Sequence, residues 1–115
     1  MPLKIGNVKQ SKFARIVASQ ANTSACFTLP AQVQITNVRA FGTDFGAGTI
    51  TFYARPISSA TPVAFATIDG ATLTTVQNGV VSGAIPFNRT SEPVVISVGG
   101  VGATGGPATI EVEFA

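Results

Sequence analysis

Hydrophobic and polar residues alternate with a period of two along much of the chain. In "GTITFYARP", Ile50, Phe52 and Ala54 fall on one side, and Thr49, Thr51, Tyr53 and Arg55 on the other. In "ATIEVEF", Ile110, Val112 and Phe114 alternate with Thr109, Glu111 and Glu113. "SACFTLP" puts Ala25, Phe27 and Leu29 on a shared face, and "QVQITNV" alternates Val33 and Ile35 with Gln32, Gln34 and Thr36. Such segments predict half-buried strands with one wet face, because successive side chains of a strand point to opposite sides. The phase slips near Asn37, where Val38 takes over the apolar register, which predicts a bulge or a bend between sheets. "PVAFATI" (62–68) and "PVVISV" (93–98) are apolar or small on both faces. They read as central core strands or as strands at a subunit contact.

Turn chemistry interrupts these runs at "QANTS", "LPAQ", "GTDFGAG", "RPISSATP", "DGA", "QNG", "NRTSEP" and "GGVGATGGP". The spacing predicts roughly eight or nine strands in an antiparallel β-sandwich or barrel. Asn78-Gly79 is a hairpin signal, and Pro86 in "GAIPFN" points to an edge strand or a bulge. Valine, isoleucine and threonine dominate while leucine occurs only three times, which favours pleated sheet over helix. Twelve glycines and seven prolines leave few windows for a long helix. At 115 residues the chain is read as a single domain over residues 13–115, preceded by an N-terminal extended arm at residues 1–12.

Charge adds a second layer. Charged residues make up 10% of the chain, against roughly 25% in a typical soluble domain. So little charge points to a surface covered by Thr, Ser, Asn and Gln and partly buried against another chain. The net charge is +2, but Lys4, Lys9, Lys12 and Arg15 precede the first acid, Asp44, so the arm is basic. Four scattered cations make a poor phosphate track, so nucleic acid is not an expected partner. No run approaches the roughly eighteen apolar residues of a membrane-spanning helix, and "MPLKIGNVKQ" has no apolar signal-peptide core. Cys26 is the single cysteine and no histidine accompanies it, so it reads as an inert small hydrophobe in a chain without an internal disulfide.

The motifs that spell a chemistry lack the context it requires. Gly100-Val101-Gly102-Ala103-Thr104-Gly105 matches the G-x-G-x-x-G of a dinucleotide site, which needs a helix after it and an acid about twenty residues on. Here Pro107 and the strand-patterned "ATIEVEF" follow, so the motif reads as a glycine loop joining the last two strands. Asp44-Phe45-Gly46 spells a kinase motif in a chain far too short for a kinase. Asn22-Thr23-Ser24 and Asn88-Arg89-Thr90 fit the N-glycosylation pattern and read as turn residues. The acids are Asp44, Asp69, Glu92, Glu111 and Glu113. Glu111 and Glu113 share one strand face and are expected to be solvated, or to pair with Arg39, Arg55 or Arg89. A glycosidase-type carboxylate pair is the enzymatic alternative. Catalytic, cofactor and metal residues are expected to be absent, as is a small-molecule substrate.

Three phrases, "FTLPAQVQITNVRAF", "FGTDFGAGTITFYA" and "GGPATIEVEFA", taken in this order over residues 27–115, resemble the small jelly-roll virion proteins of tailed bacteriophages, among them the capsid decoration or cement proteins. The phrases encode strand and turn chemistry and not a site. The resemblance implies a jelly-roll-like sandwich that forms a homotrimer, binds the major capsid protein on the head surface and assembles in the host cytoplasm. It also implies that Lys4, Lys9, Lys12 and Arg15 contact the capsid. The competing expectation is a carbohydrate- or receptor-binding sandwich at a fibre tip, or a tail or neck accessory protein. That role calls for exposed aromatics near acids or amides, whereas the chain has one tyrosine, Tyr53, and no tryptophan.

Overall fold

The computed structural model of the chain describes residues 11–18, 26–44, 48–81, 85, 87, 89–101 and 106–115. Regular structure among them is nine strands: β1 (Lys12–Ala18), β2 (Cys26–Leu29), β3 (Ile35–Gly42), β4 (Thr49–Pro56), β5 (Val63–Asp69), β6 (Gln77–Asn78), β7 (Val80–Val81), β8 (Val94–Val101) and β9 (Ala108–Phe114). One turn of 3-10 helix, Gly70–Thr72, follows β5, and the Asp69 carboxylate caps it by accepting from the Ala71 N–H.

The strands form two antiparallel sheets, ordered β1-β9-β3-β6 and β2-β8-β4-β5-β7. Setting aside the two-residue β7, the order 1-9-3-6 facing 2-8-4-5 is the jelly-roll wiring, in which early and late strands interleave in each sheet. The alternation along the chain explains the sandwich directly. Ile50, Phe52 and Ala54 of β4, Ile96 and Val98 of β8, and Ile110 and Val112 of β9 are all buried between the sheets. Phe52 and Phe65 meet with ring centroids 6.1 Å apart at a 57° tilt, the inclined arrangement that the aromatic quadrupole favours.

The phase slip near Asn37 is a register shift in the β3–β9 ladder between Ile35 and Asn37. It lets Ile35 and Val38 both reach the core, although a regular strand would turn them to opposite faces. The two-faced run 62–68 has a related cause. The β4–β5 register shifts between Phe52 and Tyr53, so the consecutive Phe65 and Ala66 are both buried. β8, the other two-faced run, lies in the interior of its sheet between β2 and β4.

The hairpin expected at Asn78-Gly79 does not form. Gln77–Asn78 pairs with Ala40 and Arg39 in one sheet, and Val80–Val81 pairs with Thr67 and Ala66 in the other. Gly79 is therefore the point where the chain crosses between sheets. Its N–H donates to the Val38 carbonyl at 2.8 Å, and a Cβ there would overlap Val38 Cγ2. Glycine serves here by allowing a close backbone approach, not by making a turn. Ala108–Phe114 is a strand, so the G-x-G-x-x-G segment is not followed by the helix a dinucleotide requires. Gly100 and Val101 belong to β8, and residues 102–105 lie outside the described residues, as does Pro86.

Candidate functional site

Among the described residues the ion pairs gather on the outer face of the four-stranded sheet. The phase that buries Ile110 and Val112 turns Thr109, Glu111 and Glu113 outward from β9. The register then sets three rows across the sheet. Phe13, Glu113 and Asn37 form one, Arg15, Glu111 and Arg39 the next, and Val17, Thr109 and Phe41 the third. The middle row alternates positive, negative, positive across neighbouring strands, the arrangement that cross-strand pairing favours.

Glu111 is the centre. Only 4% of it is exposed, and both carboxylate oxygens are occupied. Arg15 Nε donates to Oε2 at 2.5 Å, and an Arg39 terminal nitrogen donates to Oε1. The other Arg39 terminal nitrogen reaches Glu113 Oε1 at 2.7 Å. Phe13 lies under both cations, with its ring centroid 5.3 Å from Arg15 Cζ and 5.6 Å from Arg39 Cζ. On the far side, the Asn37 side-chain amide donates to Asn78 Oδ1 at 3.0 Å and ties β6 to the same face.

Burial alone would raise the Glu111 carboxyl. The hydrogen bonds from Arg39 and Arg15, with their charges, outweigh it and hold the group below the usual carboxylate range. The hydrogen bonds that Arg39 donates to Glu111 and Glu113 raise it further above its already high value. Glu111 is therefore a fixed anion near neutral pH and not a proton donor. A group whose folded pKa is depressed contributes stability above its unfolded value, about 4.3, and loses that contribution as pH falls through the folded value below it. In urea titrations, stability should therefore fall more steeply below about pH 4.5 for the native chain than for Glu111→Gln. Equal slopes would mean that the carboxylate is not held in this way.

The four residues expected to contact a capsid separate on this geometry. Lys4 and Lys9 lie outside the described residues. Lys12 opens β1 and is exposed, and Arg15 stands in the middle row. The sequence left Glu111 and Glu113 either solvated or paired with Arg39, Arg55 or Arg89. Arg39 takes both, while Arg55 donates to the Ser59 carbonyl and Arg89 to the Gln34 side chain and the Gln32 carbonyl. Sequence reasoning missed Phe13 and the partnership of Arg15 with Glu111, and of the two alternatives the structure has the paired one for Glu111. The signal present was parity, because Phe13, Arg15 and Val17 lie on the outward phase of β1.

Elsewhere the polar side chains serve the fold. Glu92 accepts from the backbone N–H and hydroxyl of Ser58, and Asp44 accepts from the Thr74 N–H. Cys26 is exposed on β2. Among the described residues no group of three His, Cys, Asp or Glu side chains could hold a metal ion, and no helix is long and apolar enough to cross a membrane. No family model matches the chain, and no curated protein matches it.

Proposed function

We propose that the chain is a structural protein of a tailed-bacteriophage virion: a decoration protein that binds the major capsid protein as a homotrimer and stabilises the head. The observation that carries an interaction role is the face of β1. Phe13 is 45% and Val17 59% exposed, on either side of a partly occupied guanidinium, on a strand that edges its sheet. Apolar side chains grouped around an arginine are the composition of a protein-binding surface. The phage assignment rests on the resemblance of the phrases over 27–115 and agrees with the jelly-roll wiring. Such a protein acts by linkage: binding the assembled shell more tightly than its separate parts shifts the equilibrium toward the shell, with no chemical step. The ion cluster fits this role, since its carboxylate is held charged and has no proton to exchange near neutrality.

A sugar-binding role finds less support. Tyr53 is half-buried on the outer face of the five-stranded sheet, and a Cβ added at Gly99 would lie 3.5 Å from its ring. It sits down on its neighbour, where a stacking platform would present an open ring face.

Light scattering after size exclusion tests the assembly. A homotrimer of 11.7 kDa chains has a mass of about 35 kDa. Removing residues 1–10 leaves β1 intact, and should keep that mass while weakening sedimentation with the phage heads that the full chain binds. A mass of 11.7 kDa would overturn the trimer, and unchanged sedimentation would remove Lys4 and Lys9 from the contact.

A further inference from the structure

We propose that Arg15 is the anchor of a docking edge that captures a carboxylate on an acidic, strand-forming segment of a partner protein, with Phe13 and Val17 packing against apolar side chains on either side of it. The proposal rests on the interaction reading above and names the partner's chemistry.

Arg15 and Arg39 share Glu111 but are used differently. Arg39 spends its terminal nitrogens on Glu111 and Glu113, and its side chain is 21% exposed. Arg15 is bound through Nε alone, and its side chain is 58% exposed. Among the described residues neither of its terminal nitrogens has a partner. A guanidinium presents its donors as a planar fork that matches the two oxygens of a carboxylate. Here the fork is already aimed. Glu111 fixes Nε from one side and the Phe13 ring lies beneath Cζ. Much of the side-chain freedom that capture would otherwise remove is gone before binding.

The edge decides the shape of the occupant. Among the described residues β1 pairs with β9 on one side only. It runs seven residues as KFARIVA, with no proline and no register shift in its ladder. Such an edge takes an added strand. A strand laid there sets its alternate side chains opposite Phe13, Arg15 and Val17, which selects the pattern apolar, acidic, apolar at every second position. A second copy of β1 is a poor occupant. Antiparallel pairing centred on the strand would set Arg15 against Arg15, and like charges directly opposite one another repel. A phosphate is also disfavoured, because the fork is flanked by Phe13 and Val17 where a phosphate would seek further cations or backbone N–H groups.

The test uses the full chain with arginine and backbone nitrogens labelled for NMR. The probe is the peptide acetyl-Thr-Val-Thr-Glu-Thr-Val-Thr-amide, set against the same peptide with glutamine for glutamate and against inorganic phosphate. The glutamate peptide should shift the Arg15 Nε resonance and the β1 amides saturably. The glutamine peptide should bind at least about tenfold more weakly, and so should the glutamate peptide on an Arg15→Ala chain whose β9 amides remain in place. Equal binding of the two peptides to the native chain overturns the proposal without any variant. So does the absence of any shift, or phosphate competing as well as the glutamate peptide, which would make the fork a general anion site. Failure here with a trimer in light scattering removes only this edge. A monomer that still binds the glutamate peptide removes the assembly reading and leaves the edge.

Discussion

Replacing Glu111 with alanine should destabilise the chain by about 2–4 kcal/mol. The figure lies somewhat below the ~3–5 kcal/mol typical of breaking a buried ion pair, because the partners left behind are not sealed in. Arg15 can turn to water at once, being 58% exposed, whereas Arg39 is 21% exposed and retains Glu113. The loss has two parts. One is the hydrogen bonds from Arg15 and Arg39. The other is the loosening of β1, which is tied to β9 across the outer face by the Arg15–Glu111 pair and by its ladder from Lys12 to Ala18. Urea unfolding read as a shift in midpoint at unchanged slope measures it. A change under about 0.5 kcal/mol, the size expected of an exposed pair, would mean that the cluster does not persist in solution.

A companion variant separates stability from use. Arg15→Met, Arg39→Leu and Glu111→Leu together remove the charges of the middle row, leave the partly exposed Glu113 to water, and fill the vacated volume with apolar groups. Buried ion clusters replaced in this way are commonly neutral or stabilised, so the triple variant should recover to within about 1 kcal/mol of the native chain. The same variant should lose the glutamate peptide. Recovered stability with lost capture would show that the cluster sets the chemistry of the face and is not needed for folding. A triple variant as unstable as Glu111→Ala would give the ions a structural role of their own.

What could be read in the sequence was set by distance along the chain. Alternation placed Ile50, Phe52, Ile110 and Val112 in the core because one wet and one dry face leave a local trace at every second residue. The bulge was visible at Asn37 for the same reason, as an apolar residue arriving one place off phase. Burial of Glu111 left no local trace. It depends on β9 lying between β1 and β3, which brings in Arg15 from 96 residues away and Arg39 from 72. Asn78-Gly79 failed for a related reason. The pair is a sound turn signal, but whether the flanking residues pair with each other is decided by open edges elsewhere. Here the edges were β3 for Gln77–Asn78 and β5 for Val80–Val81.

Gly79→Ala tests that crossing and should cost about 2–3 kcal/mol. The new methyl would overlap Val38 Cγ2, a short, branched group that is itself 1% exposed and has no flexible end to yield. Moving it would strain the Gly79 N–H to Val38 carbonyl bond that holds the chain against β3. Val38→Ala alone should cost about 2 kcal/mol through the cavity it leaves. The two changes should not add, because the Gly79→Ala methyl enters the space that Val38 vacates. The double variant should be more stable than the sum of the single losses by at least about 1 kcal/mol, within the range for residues in contact. Simple additivity would mean that the strand crossing does not pass over Val38. It would also reopen a hairpin at Asn78-Gly79, because in that arrangement the two side chains would have no reason to meet.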